Sequence, residues 1–180
     1  MSTHRSDSVF RRLGAQYYAA ARHAALAGFL PVSGNLYHHS LEMFLKAGLS
    51  QKYCLDELKG RFHHRLVELW NEFKVQFPSI ALLQFDTAVA EIDAFEDVRY
   101  PDEVLKNGAE MTIEWGPAPV RSGSPPSVPR YTLNVPNIDK LIAGIFRVSS
   151  QASLNHTLRL NPDVRAMLAR DNPVADQIIG

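Results

Sequence analysis

The chain has 180 residues, 19 Lys+Arg balanced by 19 Asp+Glu, and a single cysteine, Cys54. That length buries a core without staples, and a lone cysteine excludes both an internal disulfide and a thiolate zinc cluster, so a reducing, cytoplasmic setting with a packed thiol is expected. The zero balance excludes a uniformly basic nucleic-acid binder, and no apolar run approaches the roughly 20 residues of a membrane span.

The first three fifths read as helices. Val9, Leu13, Tyr17, Ala20 and Ala24 recur every three to four positions and predict a helix from Ser8 to about Gly28. A second is expected from Asn35 to Gly48, with Tyr37, Leu41, Phe44 and Leu45 on one face and Gly48 as its stop. A third fits His64 to Phe77, closed by Pro78, and a fourth runs from Ser79 to Phe95. Four amphipathic helices with short connections predict a mainly α fold, an antiparallel up-and-down bundle.

The period then changes. Met111 to Trp115 and Tyr131 to Val135 alternate apolar and polar residues, which predicts a β-hairpin over 109–136 with a Pro/Ser-rich loop at 116–130. Helical spacing returns at Ile138, Leu141, Ile142, Ile145 and Phe146, and residues 137–180 are expected to form C-terminal helices, including a short one around Val164–Leu168. The whole of 1–180 reads as one domain.

Charge is unevenly spread. Between Phe85 and Glu103 there are seven acids and one base, Arg99, while Arg5 to Arg22 holds four arginines and one aspartate. This asymmetry could dock the first helix on the fourth, or one subunit on another; two solvated faces explain it equally well. Phosphate-loop, dinucleotide, zincin and nucleophile-elbow signatures are absent.

Histidines are the unusual feature, five of seven lying between His23 and His64. His38 and Glu42 share a helix face, and with His63 or His64 they could offer three ligands to zinc. Nothing in the spacing fixes the third ligand. In the plainer reading one histidine of each pair bonds within the bundle while its neighbour is solvated, and no metal or cofactor is expected.

One order of residues is more specific. Asn35-Leu36-Tyr37-His38-His39-Ser40-Leu41-Glu42-Met43-Phe44-Leu45-Lys46-Ala47-Gly48-Leu49 is followed by His64-Arg65-Leu66 and then by Arg99-Tyr100-Pro101. This resembles the HEPN family of higher eukaryote and prokaryote nucleotide-binding domains. That family commonly carries a Glu before a Leu-Lys-Ala-like step on its second helix, a His-x-Leu opening its third, and Arg-Tyr-Pro closing its fourth. Glu42, Lys46, His64, Leu66, Arg99, Tyr100 and Pro101 fill those places, so the resemblance covers a four-helix core over 8–101. Glu42 and Lys46 are also spaced as a helical ion pair. Lys46, His64, Arg99 and Tyr100 are the candidate ligand-binding residues: brought together, two cations and an imidazole would receive a phosphate. The plainer reading pairs Arg99 with Glu96 or Asp97 and leaves Tyr100-Pro101 to end a helix.

Many HEPN proteins are metal-independent endoribonucleases with Arg, four to six residues, then His. No arginine here has a histidine five to seven positions later. The resemblance therefore implies a non-catalytic binding module, a homodimer, with a nucleotide or RNA ligand and a nucleotidyltransferase-type partner from a toxin–antitoxin or defence system. The alternatives are a ribonuclease with a rearranged Arg/His site and a metal-dependent hydrolase using the histidine cluster.

Overall fold

The computed structural model describes residues 3–116 and 127–180; the side chains of residues 3–6 and 103 are not described. The expected Pro/Ser-rich loop therefore falls largely outside the described residues. The fold is mainly helical, with one small sheet. No described helix is long and apolar enough to cross a membrane.

Helices α1 (Thr3–Leu26) and α2 (Val32–Leu49) form the longest packed pair. Small residues allow it: a Cβ on Gly14 would lie 2.8 Å from the Phe44 ring, and Ser40 Oγ donates to the Gly14 carbonyl at 3.0 Å. Gly48 is not the stop expected of it. The helix runs on to Leu49, and Gly48 is where Phe73 comes against the backbone, 2.7 Å from where a Cβ would sit.

A helix that the periodicity missed follows, α3 (Leu55–Phe62), with Glu57 Oε2 accepting from the Cys54 N–H at 2.8 Å. Cys54 is thus an exposed helix-capping residue, not the packed thiol expected. Helix α4 (Leu66–Gln76) buries Leu66, Leu69, Trp70 and Phe73 as their spacing predicts. The fourth expected helix is interrupted: α5 (Ile80–Leu83) and α6 (Asp86–Asp93) are followed by a 3₁₀ turn (Ala94–Val98) and α7 (Pro101–Asn107). Leu82, Phe85, Val89, Ile92 and Phe95 are all buried across these breaks. Apolar spacing reports which side faces the core, and it is blind to whether the hydrogen-bond ladder is continuous.

Strands β1 (Glu110–Glu114) and β2 (Arg130–Asn134) pair in parallel, Glu110 opposite Arg130 and Glu114 opposite Asn134, and so correct the expected hairpin. Alternation gives a strand's faces but not its direction. The fifteen residues between the strands are long enough for the crossover that a parallel pair requires, and β2 feeds without a loop into α8 (Val135–Ser149). Asn134 ends the strand and caps the helix, its Oδ1 accepting from the Asn137 N–H at 3.0 Å. β2 is buried from Tyr131 to Asn134, so it is a core strand.

Helix α8 presents Ile138, Leu141, Ile142, Ile145 and Phe146 to the core, where Phe146 meets Phe44 edge-on at 4.8 Å between centroids. Helices α9 (Leu154–Leu158), α10 (Pro162–Ala169) and α11 (Ala175–Ile178) complete the chain, and the first two pack on α1. One hydrophobic cluster runs from Phe10 to Ile179.

A buried polar network fastens this tail. Arg22 and Asp139, both 0% exposed, form an ion pair between α1 and α8. Arg22 also donates to the Arg170 carbonyl, Tyr18 donates to Asp139 at 2.7 Å, and the Asn172 amide donates to the Tyr18 hydroxyl at 3.1 Å. Burial pushes the Asp139 carboxyl up against the pull of Arg22, and burial beside Asp139 pushes the Tyr18 hydroxyl well up. Among the described side chains Arg22 pairs with Asp139 and Arg11 with Asp7 on its own helix at 3.1 Å, so neither arginine pairs with the acids of 86–102.

Candidate functional site: a buried carboxylate with two imidazoles

Glu42 lies on α2, 1% exposed, where α2 passes the turn between α3 and α4. Its i+4 spacing to Lys46 brings the ammonium to Oε1 at 2.5 Å. This pair is buried, with Lys46 only 4% exposed, whereas its spacing alone is equally that of a surface pair. The ammonium also donates to the His63 carbonyl at 3.1 Å. His63 holds a positive φ of 44°, a conformation that costs a non-glycine residue on the order of 1 kcal/mol, and Lys46 pins that turn from inside.

The turn delivers His64. Its Nδ1 lies 3.1 Å from Glu42 Oε2, while 58% of its side chain remains exposed. His39, a helix step before Glu42, brings Nδ1 to 3.6 Å from the same oxygen, just beyond hydrogen-bond length. The His39 and His64 rings stand 6.1 Å apart, with Tyr17 5.4 Å from His39 on the other side. Burial pushes the Glu42 carboxyl up, but the contacts from His39, Lys46 and His64 outweigh it and hold it at about 2. One buried anion therefore organises an ammonium within and two imidazoles toward the surface.

His38 bonds a different acid. It is fully buried, with Nε2 3.4 Å from Asp93 Oδ1 and Nδ1 without a partner among the described residues. Asp93 Oδ1 also accepts from the Leu66 N–H at 3.0 Å, so an acid at the end of α6 caps α4 from across the fold. Leu66 itself is a core residue, 0% exposed.

The structure thus brings Glu42, Lys46 and His64 together, and holds Arg99 apart in its direct bonds. Arg99 donates to Glu96 at 2.9 Å, the plainer of the two expected arrangements. Glu96 raises its guanidinium through that bond and its charge, and the Glu42 charge adds to the effect. Tyr100 is 64% exposed beside Arg99, and Pro101 opens α7 rather than ending a helix. Of the candidate metal ligands, His63 contributes only its carbonyl to the cluster. The donor atoms that come within 4.8 Å of one another belong to His38, His39 and Glu42. That set suits a proton network better than a divalent cation, because Lys46 holds Glu42 Oε1 and His64 faces Oε2.

Sequence reasoning missed His39 and Asp93 as members. The helical step from His39 to Glu42 was available as a signal; the contact of Asp93 with residues 27 and 55 positions away was not. Comparison with family models, with curated proteins and with solved structures returns no match to the chain.

Proposed function

We propose that the chain is a non-catalytic binding module, an up-and-down HEPN-like bundle over residues 8–101 acting as a homodimer, whose Glu42 cluster receives the phosphate of a nucleotide or RNA. The observation that carries this reading is the division of labour at Glu42. Its charge is met inside by Lys46, so His64 and His39, whose Nδ1 atoms face Glu42, each keep an Nε2–H for an incoming anion when protonated, and the 38% exposed Arg99 can exchange its Glu96 partner for that anion. Titration of labelled RNA and of ATP at low and high salt tests it. Saturable binding that weakens with salt, and falls about tenfold in His64→Ala, is expected. No saturable binding to either ligand removes the proposal. A nucleotidyltransferase-type partner belongs to the same reading and is tested by co-purification with such a protein encoded nearby.

A second reading rests on one specific contact. Glu42 facing His64 Nδ1 is the arrangement that leaves Nε2 free as a general base, as a carboxylate orients an imidazole in many hydrolytic sites. A metal-independent ribonuclease would use Nε2 to take the proton of a ribose 2′-hydroxyl as its oxygen attacks the adjacent phosphorus and the 5′-oxygen leaves with a proton from His39 or water. RNA cleavage in EDTA that disappears in His64→Ala supports it; full cleavage by that variant rejects it.

A further inference from the structure

A second site, a cleft, shares no lining residue with the Glu42 cluster. It occupies about 740 Å³ where the end of β1, the start of α8 and the connection between α10 and α11 meet. That is the size of a small-molecule site. Its three walls are fixed on one buried side chain. Arg22 lies 5.9 Å from the centre of the Trp115 ring, pairs with Asp139 on α8, and donates to the Arg170 carbonyl at the edge of the third wall. The Asn172 amide, on that wall, donates to Tyr18 of the same network.

The polar groups of the lining divide into two sets. Asn134 is consumed by the scaffold, donating to Glu114 and the Gly116 carbonyl and accepting from the Asn137 N–H. Asn172 is likewise consumed, donating to Tyr18 and the Leu168 carbonyl and accepting from the Val174 N–H. Lys140, exposed one turn into α8, and the Asn137 amide bond nothing among the described residues and face the cleft lining together with the half-buried Trp115 ring. Asp171, also on the lining, is a 60% exposed carboxylate whose Arg170 partner is 3.6 Å away.

A flat indole, one ammonium and one free amide select a planar ring bearing an anion. The Asp171 carboxylate nearby selects one negative charge over two, because Lys140 neutralises the first and the second is left facing Asp171 with no further cation among the described lining residues. We propose that this cleft binds a small aromatic monocarboxylate, with the ring against Trp115 and the carboxylate on Lys140 and Asn137.

Calorimetric titration of the full chain with 2-naphthoate, neutral 2-naphthamide and 2-naphthyl phosphate tests this, up to about 10 mM, the weak end for fragments of this size. Saturable binding of the naphthoate is expected, with the amide and the phosphate each about tenfold weaker. Lys140→Ala, at an exposed position, brings the naphthoate down to the amide, and Trp115→Ala weakens all three. His64→Ala leaves the naphthoate unchanged, which separates this cleft from the Glu42 cluster. Equal binding of naphthoate and naphthamide, a Lys140→Ala variant that binds like the parent, loss of binding in His64→Ala, or no saturable binding of the naphthoate overturns the assignment.

Discussion

Replacing Glu42 by Gln keeps the shape of the side chain and removes its charge, and the consequence depends on pH in a calculable way. The carboxyl moves from 4.5 to about 2 on folding, so the folded protein holds it ionised where the unfolded chain protonates it. Stability from this group is therefore complete above about pH 5 and is lost as pH falls toward 2. At about 1.4 kcal/mol per tenfold change in proton affinity, the loss is about 3 kcal/mol. At neutral pH the Gln variant leaves the Lys46 ammonium, 4% exposed, without its counter-charge, at a cost of about 3–5 kcal/mol. Urea unfolding of both proteins, followed by far-ultraviolet circular dichroism in steps from about pH 6 to about pH 2.5, measures the difference. The parent is expected to be the more stable at the upper end, and the gap to close by about 3 kcal/mol toward the lower. The other carboxylates titrate alike in both chains and cancel. Parallel curves across that range would refute a network centred on an ionised Glu42.

Arg22→Met alone strands the Asp139 carboxylate in the core and is expected to cost about 3–5 kcal/mol, roughly 6–20 °C in Tm for a chain of this size, whereas Arg22→Met with Asp139→Leu recovers most of it; thermal melts of the two variants and Asp139→Leu complete the cycle. Gly48→Ala drives a methyl against Phe73, 2.7 Å from the Cβ position, and should destabilise by about 1–3 kcal/mol in the same assay, the opposite of what replacing an ordinary helical glycine does. Cys54, exposed at the start of α3, is expected to react with a thiol reagent at nearly the same rate in buffer as in urea; strong protection in buffer would contradict its placement.

On α1 the expected stripe was misplaced, since Val9 and Leu13 are exposed and the face against the core is Phe10, Gly14, Tyr18, Ala21 and Ala25, where small residues hide the period. The apolar stripes of α2, α4 and α8 were legible because each helix turns a continuous face to one core, and spacing records that face. The Glu42–Lys46 pair was legible for the same reason, since both residues lie on one helix. What the sequence could not disclose was every relation whose two halves lie on different elements. The parallel register of Glu110 with Arg130 is one, because alternation has no direction. Asp93 reaching the Leu66 N–H is another, and Arg22 reaching Asp139 is a third: there the sequence shows an arginine in a basic stretch and an aspartate on an apolar helix, each ordinary by itself. Helix α3 was hidden because only Leu58 and Phe62 of its eight residues are buried, too few to establish a period.

The dependence of α1 on the tail has a bearing on how the protein is made. Arg22 donates to a carbonyl 148 residues later in the chain, and Tyr18 accepts from an amide 154 residues later. During synthesis at about 5–20 residues per second, α1 and α2 leave the ribosome on the order of 10 s before Arg170 and Asn172 exist. Through that interval the guanidinium has neither Asp139 nor its carbonyl, and the face of α1 that later receives α9 and α10 is open to water and to other chains. The nascent chain is accordingly most exposed to aggregation and to chaperone capture after its longest helices are formed, and the segment from Leu154 to Asn172 is the one that ends that exposure.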